Sequence, residues 1–258
     1  MSTALITGAS SGLGKELALI HAERGGDLII VARSVDKLNE LKRELESEHG
    51  VRVYVLPKDL SKPTAPEEIY AELKTENMPV DILINNAGLG GHGYFHERSM
   101  ESDMNMLMID VIALTKLTKL FLKDFVVRGS GRILNVSSTA ALFPAGPLQA
   151  VYFASKAYVT SLSDAIWQEI QGTGVTMTVL MPGGMDTGFA KASNLEGTSL
   201  AKAMTFTPDV VALDGYEAMM RGDMEVISKL TPEQEEWFKT IPTTPKAALI
   251  KQIFEMQK

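Results

Sequence analysis

Short β-rich runs alternate with longer helical patterns along most of the chain, and this alternation limits the possible folds more than any other feature. The runs are ALIT, DLIIVA, VRVYVL, DILIN, RILNVS, VTMTVL and MEVIS. Several are apolar at both alternating positions, which is typical of strands buried on both faces of a parallel sheet. The segments between them keep helical spacing, as at Leu38, Leu41 and Leu45. The sequence therefore predicts an α/β fold, a doubly wound Rossmann-type sheet of about seven parallel strands with helices on both faces.

Glycine, proline and capping residues mark where the helices are expected to begin and end. Gly25, Gly50 and Gly222 each follow a helical pattern, and Thr207 with Pro208 indicates a helix N-terminus. The polar segment 188–205 has no firm period. We expect one domain over the whole chain, with this segment as a substrate loop or lid.

The C-terminal tail, at about 231–258, has apolar residues at partly helical spacing. Such a tail could cover the cleft, pack on a partner subunit or rest on a membrane surface. The tail has few basic residues, which makes the membrane the weakest of the three alternatives.

The composition excludes several classes of protein. The 258 residues carry a net charge of −7, whereas a nucleic-acid interface needs clustered Lys and Arg. There is no cysteine, so neither a disulfide framework nor a thiolate zinc site can form. No apolar run approaches the roughly 20 residues that span a bilayer, and MSTALITG lacks the regions of a signal peptide. We expect a soluble, cytoplasmic protein that binds neither nucleic acid nor a membrane.

A glycine-rich turn, TGASSGLG, follows the first strand and leads into a helix. Glycines there permit a tight turn and let the backbone approach a pyrophosphate, whose charge is favoured by free N–H groups at the helix N-terminus. The spacing is G-x-x-x-G-x-G rather than the general G-x-G-x-x-G, and glycine turns also follow strands for purely structural reasons. The position in an alternating α/β chain favours a dinucleotide site. Its expected contacts are Gly8, Ser10, Ser11, Gly12, Leu13 and Gly14.

The end of the second strand, LIIVARS, is expected to reach the adenosine ribose of such a cofactor. An acidic residue there would bind the 2′-hydroxyl of NAD, whereas arginine suits the 2′-phosphate of NADP. The chain has Arg33 at this point, which makes NAD the less favoured cofactor. Alternatively, Arg33 is a solvated residue beside Ser34, which would cap the next helix. After the third strand, Asp59 and Leu60 fall where a loop could touch adenine, although Asp59 equally suits a turn.

Three further motifs follow: NNAG at Asn85–Gly88, YFASK at Tyr152–Lys156, and Pro182 with Gly183, followed by Thr187. Together with TGASSGLG they resemble, in order and spacing, the short-chain dehydrogenase/reductase family in its single-domain form. The resemblance covers the chain to about Thr187. It implies an NAD(P)-dependent oxidoreductase that interconverts a carbonyl and an alcohol, assembled as a homodimer or homotetramer. The cofactor contacts it implies are Asn86, Ala87, Gly88, Tyr152, Lys156, Pro182, Gly183 and Thr187.

The spacing Y-x-x-x-K alone is not informative, because it occurs three times. Tyr54 and Lys58 lie where a proline ends a β-rich run, and Tyr70 and Lys74 lie on a glutamate-rich helix that looks solvent-exposed. Tyr152 begins a helix after a strand that ends in NVSS, and open α/β sheets bind ligands at the carboxyl ends of strands. Only this third pair is a candidate for catalysis.

Hydride transfer to a carbonyl builds negative charge on its oxygen, so the site needs a proton donor and a hydrogen-bond donor. We expect Tyr152 to donate the proton, with Lys156 one turn away lowering its pKa from about 10. The resemblance implies that Lys156 also holds the nicotinamide ribose and that Ser138 polarises the substrate oxygen. Ser137 is an alternative, because the interval from Ser138 to Tyr152 is one residue longer than usual in the family. Ser138 could also simply cap the turn.

One residue departs from the family pattern. The family usually carries an asparagine in the helix after NNAG that holds a water leading to the active lysine, and the alignment puts Asp110 there. An ionised Asp110 would raise the pKa of Lys156 through that water, whereas a neutral one would donate a hydrogen bond as the amide does. A purely structural Asp110 is the alternative.

Two functions therefore remain open. The first is an NADP-dependent oxidoreductase with Tyr152, Lys156, Ser138 and Asp110 as its catalytic group. The alternative is a cofactor-sensing binding protein with a weakened site, for which Asp110 is the only support. A modest apolar or amphiphilic carbonyl compound is the expected substrate.

His92 and His96 are four residues apart, a spacing that can bind a metal from a helix. Glycines surround them and no third ligand is evident, so we expect no metal. They are expected to rim the substrate cleft or face solvent.

Overall fold

Seven strands form the centre of the molecule in a computed structural model that describes residues 2–185, 188–199 and 206–258. They are β1 (Thr3–Thr7), β2 (Asp27–Ala32), β3 (Val53–Pro57), β4 (Ile82–Asn85), β5 (Gly131–Val136), β6 (Val175–Pro182) and β7 (Glu225–Ser228). All pairs are parallel, in the order β3-β2-β1-β4-β5-β6-β7. The chain therefore reverses its direction across the sheet between β1 and β4, where doubly wound sheets bind ligands.

Helices connect the strands. They are α1 (Gly12–Glu23), α2 (Val35–His49), α3 (Ala65–Thr75), α4 (Met100–Leu107), α5 (Leu114–Arg128), α6 (Ala150–Glu169), α7 (Phe189–Ala192), α8 (Pro208–Arg221), α9 (Pro232–Thr240) and α10 (Lys246–Gln257). A π-helical turn, Met108–Ala113, joins α4 to α5, and a 3-10 turn, Thr139–Leu142, follows β5. The predicted terminators Gly25, Gly50 and Gly222 follow the ends of α1, α2 and α8.

Alternate strand residues enter two separate cores. Ile6 of β1 packs in the core that contains residues of α1, α2 and α8, whereas its neighbour Leu5 packs in the core that contains residues of α3 and α5. Both side chains are fully buried, and each burial contributes about 1.5–3 kcal/mol. Helices therefore cover both faces, and the predicted doubly wound Rossmann-type fold is confirmed.

Buried polar side chains join the central strands to α5 and α6. The Asn85 amide donates to Thr118 Oγ1 at 3.0 Å and to Asn135 Oδ1 at 2.9 Å. Asn135 in turn donates to Ser163 Oγ at 2.9 Å. Because an unpaired buried polar group is costly, these bonds fix α6 and its side chains relative to the strand ends.

The C-terminal helices fold back over the carboxyl ends of the strands. Leu249 and Ile253 of α10 pack with Ala140 and Phe153 in a third core. Of the three positions considered for the tail, the structure shows the one over the cleft. Within the described ranges, no helix combines the length and the hydropathy that crossing a membrane requires.

Candidate functional site

A cavity of about 780 Å³ lies at the carboxyl ends of the strands. It is lined by residues that directly follow β1, β2, β3, β4, β5 and β6. The predicted cofactor contacts on its wall are Gly8, Ser10, Ser11, Gly12, Leu13, Arg33, Asp59, Leu60, Asn86, Ala87, Gly88, Tyr152, Lys156, Pro182 and Gly183. Thr187 lies outside the described residues.

Gly14 does not lie on the cavity wall. It lies behind the turn, where an added Cβ would collide with the carbonyl oxygen of Gly8 and with the side-chain amide of Asn86. Gly8 itself has a φ of +69°, a conformation that glycine adopts at little cost. The structure gives Gly14 a packing role under the turn, and its direct contact with a cofactor stays a prediction.

Thr7 and Asn86 tie this turn to the end of β4. The Asn86 side-chain amide donates to the carbonyl oxygen of Thr7 at 2.9 Å. In return, Thr7 Oγ1 accepts from the backbone N–H groups of Asn86 and Ala87, both at 3.0 Å. The NNAG segment therefore both lines the cavity and holds the glycine turn in shape.

Basic side chains border the cavity where β2 and β3 end. Arg33 and Lys37 are exposed, and Lys58 lines the cavity directly after β3. Ser34 is the N-cap of α2, but its side chain makes no capping hydrogen bond. Burial would raise the pKa of Asp59, but a backbone N–H and the charge of Arg33 hold it below its usual value. This rim suits an anionic group.

Tyr152 and Lys156 lie one turn apart on α6, and both line the cavity. Lys156 Nζ lies 5.7 Å from the centroid of the Tyr152 ring. Burial raises the pKa of Tyr152, and the charge of Lys156 and a hydrogen bond with Ser138 offset this only in part. Lys156 therefore lowers the pKa of Tyr152, as expected, but burial has the larger effect and the net pKa is raised.

Asp110 lies directly against Lys156. Its Oδ2 is 3.3 Å from Lys156 Nζ, too close for the intervening water expected from the family pattern. The backbone N–H of Leu89 donates to Oδ1 at 2.8 Å. Asp110 lies on the π-helical turn, a rare geometry that is frequent at functional sites. It is not on the cavity wall, so any effect on a ligand passes through Lys156.

Burial opposes the charge on both members of this pair. It raises the pKa of Asp110, which Lys156 and the Leu89 N–H lower in part. It would lower the pKa of Lys156, but the charges of Asp110 and Tyr152 and the hydrogen bond to Asp110 together outweigh burial, and the Lys156 pKa is raised. Asp110 therefore helps to keep Lys156 positively charged beside Tyr152.

The two candidate serines are used differently. The Ser137 hydroxyl is buried, donates to the carbonyl oxygen of Lys156 at 2.9 Å and lies 2.8 Å from Thr160 Oγ1. Ser138 Oγ caps the 3-10 turn by accepting from the Ala140 N–H at 3.1 Å, and its hydroxyl lowers the pKa of Tyr152. A serine hydroxyl accepts and donates, so capping the turn leaves Ser138 its donor.

Aromatic side chains close the end of the cavity beyond Tyr152. The Phe143 ring centroid lies 4.8 Å from that of Trp237 and 5.2 Å from that of Phe238. Phe189 of α7 lies 5.6 Å from the Tyr152 ring. The wall at this end is therefore rich in aromatic side chains and includes residues of the C-terminal helices.

The structure describes part of the expected substrate loop and both histidines. Gly188, Phe189, Ala192 and Leu195 of this loop line the cavity, whereas 200–205 lies outside the described residues. His92 Nε2 lies 2.7 Å from the carbonyl oxygen of Gln257, and His96 is exposed. Over the part of the chain that the structure describes, no three His, Cys, Asp or Glu side chains are grouped to hold a metal.

Several wall residues were missed by sequence reasoning. Lys37 follows Arg33 by four residues, a basic spacing that could have indicated a second cation on the rim. Lys58 was dismissed as half of an uninformative Tyr and Lys pair, yet it lines the cavity. Trp237 and Phe238 lie in an amphipathic segment, and no local signal specifies which surface such a segment covers.

Comparisons with known proteins agree with this geometry. The family model described as short chain dehydrogenase matches residues 2–197. The 17-beta-hydroxysteroid dehydrogenase type 3 of Mus musculus is 34% identical over 203 residues, which are 77% of this chain and 65% of that protein. The chain thus spans less than two thirds of this relative. The ketoacyl reductase HetN of Nostoc sp. is 32% identical over 238 residues, 92% of this chain and 82% of HetN.

Solved structures extend the likeness to nearly the whole chain. A short-chain dehydrogenase from Sphingobium yanoikuyae in complex with NADPH has a TM-score of 0.83 at 28% identity, covering 97% of this chain and 96% of that one. A structure of a 7beta-hydroxysteroid dehydrogenase has a TM-score of 0.86 at 25% identity, covering 98% and 96%. This chain therefore belongs to the short-chain dehydrogenase/reductase family of oxidoreductases.

Proposed function

We propose that this protein is an NADP-dependent oxidoreductase that interconverts a carbonyl compound and an alcohol by hydride transfer. The observation that carries the proposal is that Tyr152 and Lys156 line the same cavity as the glycine turn at Gly8 and Gly12. The turn presents a helix N-terminus, which favours a pyrophosphate, and the tyrosine offers a proton. Related proteins named as hydroxysteroid dehydrogenase and ketoacyl reductase support the same reaction class.

The turn fits a dinucleotide because Gly8 and Gly12 both have a positive φ and shape a tight backbone turn on the cavity wall. A Cβ at Gly8 would lie 2.8 Å from Asn86 Nδ2 and 2.9 Å from Ala87 Cα, so only glycine lets the turn pack this closely against the end of β4. The nicotinamide supplies or accepts the hydride when the cofactor is bound. Tyr152 donates or accepts the proton of the substrate oxygen, and Ser138 donates a hydrogen bond to that oxygen.

Three polar side chains support NADP over NAD as the cofactor: Arg33, Ser34 and Lys37. All three line the cavity after β2, and guanidinium, ammonium and hydroxyl groups are donors that suit a 2′-phosphate. The NADPH complex of the Sphingobium relative is consistent with this preference.

An apolar carbonyl compound is the proposed substrate class. Phe143, Trp237 and Phe238 form an aromatic cluster beside the cavity beyond Tyr152, and burial of apolar surface there favours a bulky hydrocarbon body.

We further propose a homodimer or homotetramer that forms through the helices around Asp110 and Tyr152. Ile112 of the π-helical turn is 40% exposed, and Tyr158 of α6 is 39% exposed, so both offer apolar or aromatic surface to a partner. Light scattering after size exclusion measures the mass, and a monomer at micromolar concentration would contradict this proposal.

Oxidation of NADPH by a panel of apolar ketones tests the main proposal. Tyr152→Phe is expected to lower kcat by about 10²–10⁴-fold, the usual contribution of a general acid, while NADPH still binds. Tyr158→Phe is the matched control, because this tyrosine lies on the same helix with its hydroxyl 3.0 Å from Thr115 Oγ1, away from the cavity wall. NADPH binding with no turnover of any ketone would instead favour the cofactor-sensing alternative that Asp110 suggested.

A further inference from the structure

Two buried glutamine side chains meet on the cavity wall. Gln149 is the N-cap of α6 and Gln257 is the last residue of α10. Each is 2% exposed, and both line the cavity. Gln257 Nε2 donates to Gln149 Oε1 at 2.6 Å. A single hydrogen bond therefore joins the start of the helix that carries Tyr152 to the end of the chain.

This bond engages only two of the four polar side-chain atoms of the two amide groups. Gln149 Nε2 and Gln257 Oε1 are buried and have no hydrogen-bond partner among the described residues. Exchanging nitrogen and oxygen in both amides would still leave one free donor and one free acceptor. A buried polar group without a partner costs about 1–3 kcal/mol, so a ligand group that satisfies both atoms would be favoured.

The backbone on both sides holds this pair in position. Leu148 has a φ of +65°, a left-handed conformation that costs a residue other than glycine about 1–3 kcal/mol and is common at ligand sites. Its carbonyl oxygen accepts from the Gly93 N–H at 2.9 Å. His92, next to Gly93, lies with Nε2 2.7 Å from the Gln257 carbonyl oxygen. One loop therefore anchors both glutamines.

We propose that Gln149 and Gln257 form a polar subsite for a neutral substrate group that both donates and accepts a hydrogen bond. A hydroxyl does both, whereas a carboxylate only accepts and would face the Gln257 oxygen. Gln149 precedes Tyr152 by three residues, and both side chains line the same cavity. The preferred substrates are therefore hydroxy ketones with an apolar body, in which one molecule carries both the recognised hydroxyl and the reacting carbonyl.

This subsite rests on the proposed function, and kinetics with matched ketones tests it. The substrates are 2-hydroxyacetophenone and propiophenone, which differ by a hydroxyl in place of a methyl group. The ratio of their kcat/KM values is expected to fall about tenfold from wild type to Gln149→Met or Gln257→Met, the usual size of a lost hydrogen bond. Each variant and wild type are compared on the same two ketones, so the difference in intrinsic reactivity between the ketones cancels. Gln252→Met, an exposed position on α10, is the control and should keep the wild-type ratio.

A binding measurement separates failure of the subsite from failure of the proposed function. With NADPH present, which cannot accept a hydride from an alcohol, isothermal titration calorimetry measures the affinity for 1-phenyl-1,2-ethanediol and for 1-phenyl-1-propanol without any turnover. Tighter binding of the diol to wild type, lost in both glutamine variants, supports the subsite even if no ketone is reduced. An unchanged kcat/KM ratio in both variants, or equal affinity of wild type for the two alcohols, would overturn it.

Discussion

Asp110 Oδ2 lies 3.3 Å from Lys156 Nζ, and the two side chains are 0% and 6% exposed. Gly88 covers the pair, since an added Cβ would lie 3.2 Å from Nζ and 3.4 Å from Oδ2. The aspartate takes the place of an asparagine in the family pattern. Its charge, and not only its hydrogen bond, therefore affects the protonation of the neighbouring groups.

Replacing Asp110 with asparagine is expected to move the pH dependence of catalysis to lower pH. Burial opposes the charge on Lys156 and on Tyr152, and the carboxylate raises the pKa of both groups. Its removal therefore lowers both pKa values. Tyr152 must be protonated to reduce a carbonyl and deprotonated to oxidise an alcohol, so the alkaline fall of reduction and the alkaline rise of oxidation both shift to lower pH.

Profiles of kcat/KM against pH in both directions measure this shift. Asp164→Asn is the control, because Asp164 lies on α6 two turns beyond Lys156 and is not on the cavity wall. The asparagine can still accept the Leu89 N–H, so we expect kcat to fall by no more than about tenfold. Identical profiles for wild type and Asp110→Asn would mean that the carboxylate is only structural.

Replacing Arg33 with alanine is expected to weaken NADPH selectively. A charge-assisted hydrogen bond to the 2′-phosphate contributes about 1.5–3 kcal/mol when desolvated, and Arg33 is exposed, so we expect a rise in KM of about tenfold. NADH lacks this phosphate, and its KM should change by less than about twofold. Initial rates with both cofactors measure the ratio, with Arg43→Ala, exposed on α2 and away from the cavity wall, as the control. Equal effects on the two cofactors would remove Arg33 from the phosphate site.

Shortening Ile253 to alanine is expected to weaken substrate binding more than cofactor binding. Ile253 is 2% exposed and packs with Phe153 between α10 and the start of α6. A large-to-small change in such a core costs about 2–5 kcal/mol, and here it loosens the helix that closes the substrate end. We expect KM for apolar ketones to rise about tenfold or more, with a change in NADPH affinity below about threefold. Lys251→Ala, exposed on the same helix, is the control, and a parallel loss of both affinities would contradict this role of the tail.

Local patterns predicted the strands, the glycine turn and the Tyr152–Lys156 pair, because each depends on residues that are neighbours in sequence. The position of α10 could not be predicted, because any hydrophobic surface could bury its apolar face. The direct contact of Asp110 with Lys156 depends on the π-helical turn, which no periodicity indicates. The pKa of Tyr152 depends on how deeply its side chain is buried, a property of the assembled fold.

His21 is expected to make the fold sensitive to acid. It is 1% exposed, with Nδ1 2.8 Å from Tyr216 Oη and Nε2 3.2 Å from the Ser2 carbonyl oxygen. A neutral ring satisfies both contacts, because Nε2–H donates to the carbonyl and Nδ1 accepts from the phenol. Burial lowers the pKa of His21 below its usual 6.5.

The folded and the unfolded chain take up the proton on His21 at different pH values. The unfolded chain takes up a proton at His21 near about pH 6.5, before the folded chain does, so the stability is fully present above that pH and is lost below it. The loss is at most about 1.4 kcal/mol per pH unit. Melting temperatures at about pH 7.5 and 5.5 should therefore differ less in His21→Gln than in wild type or in the exposed control His96→Gln. If His21→Gln and wild type lose the same stability on acidification, groups other than His21 set the acid limit of this fold.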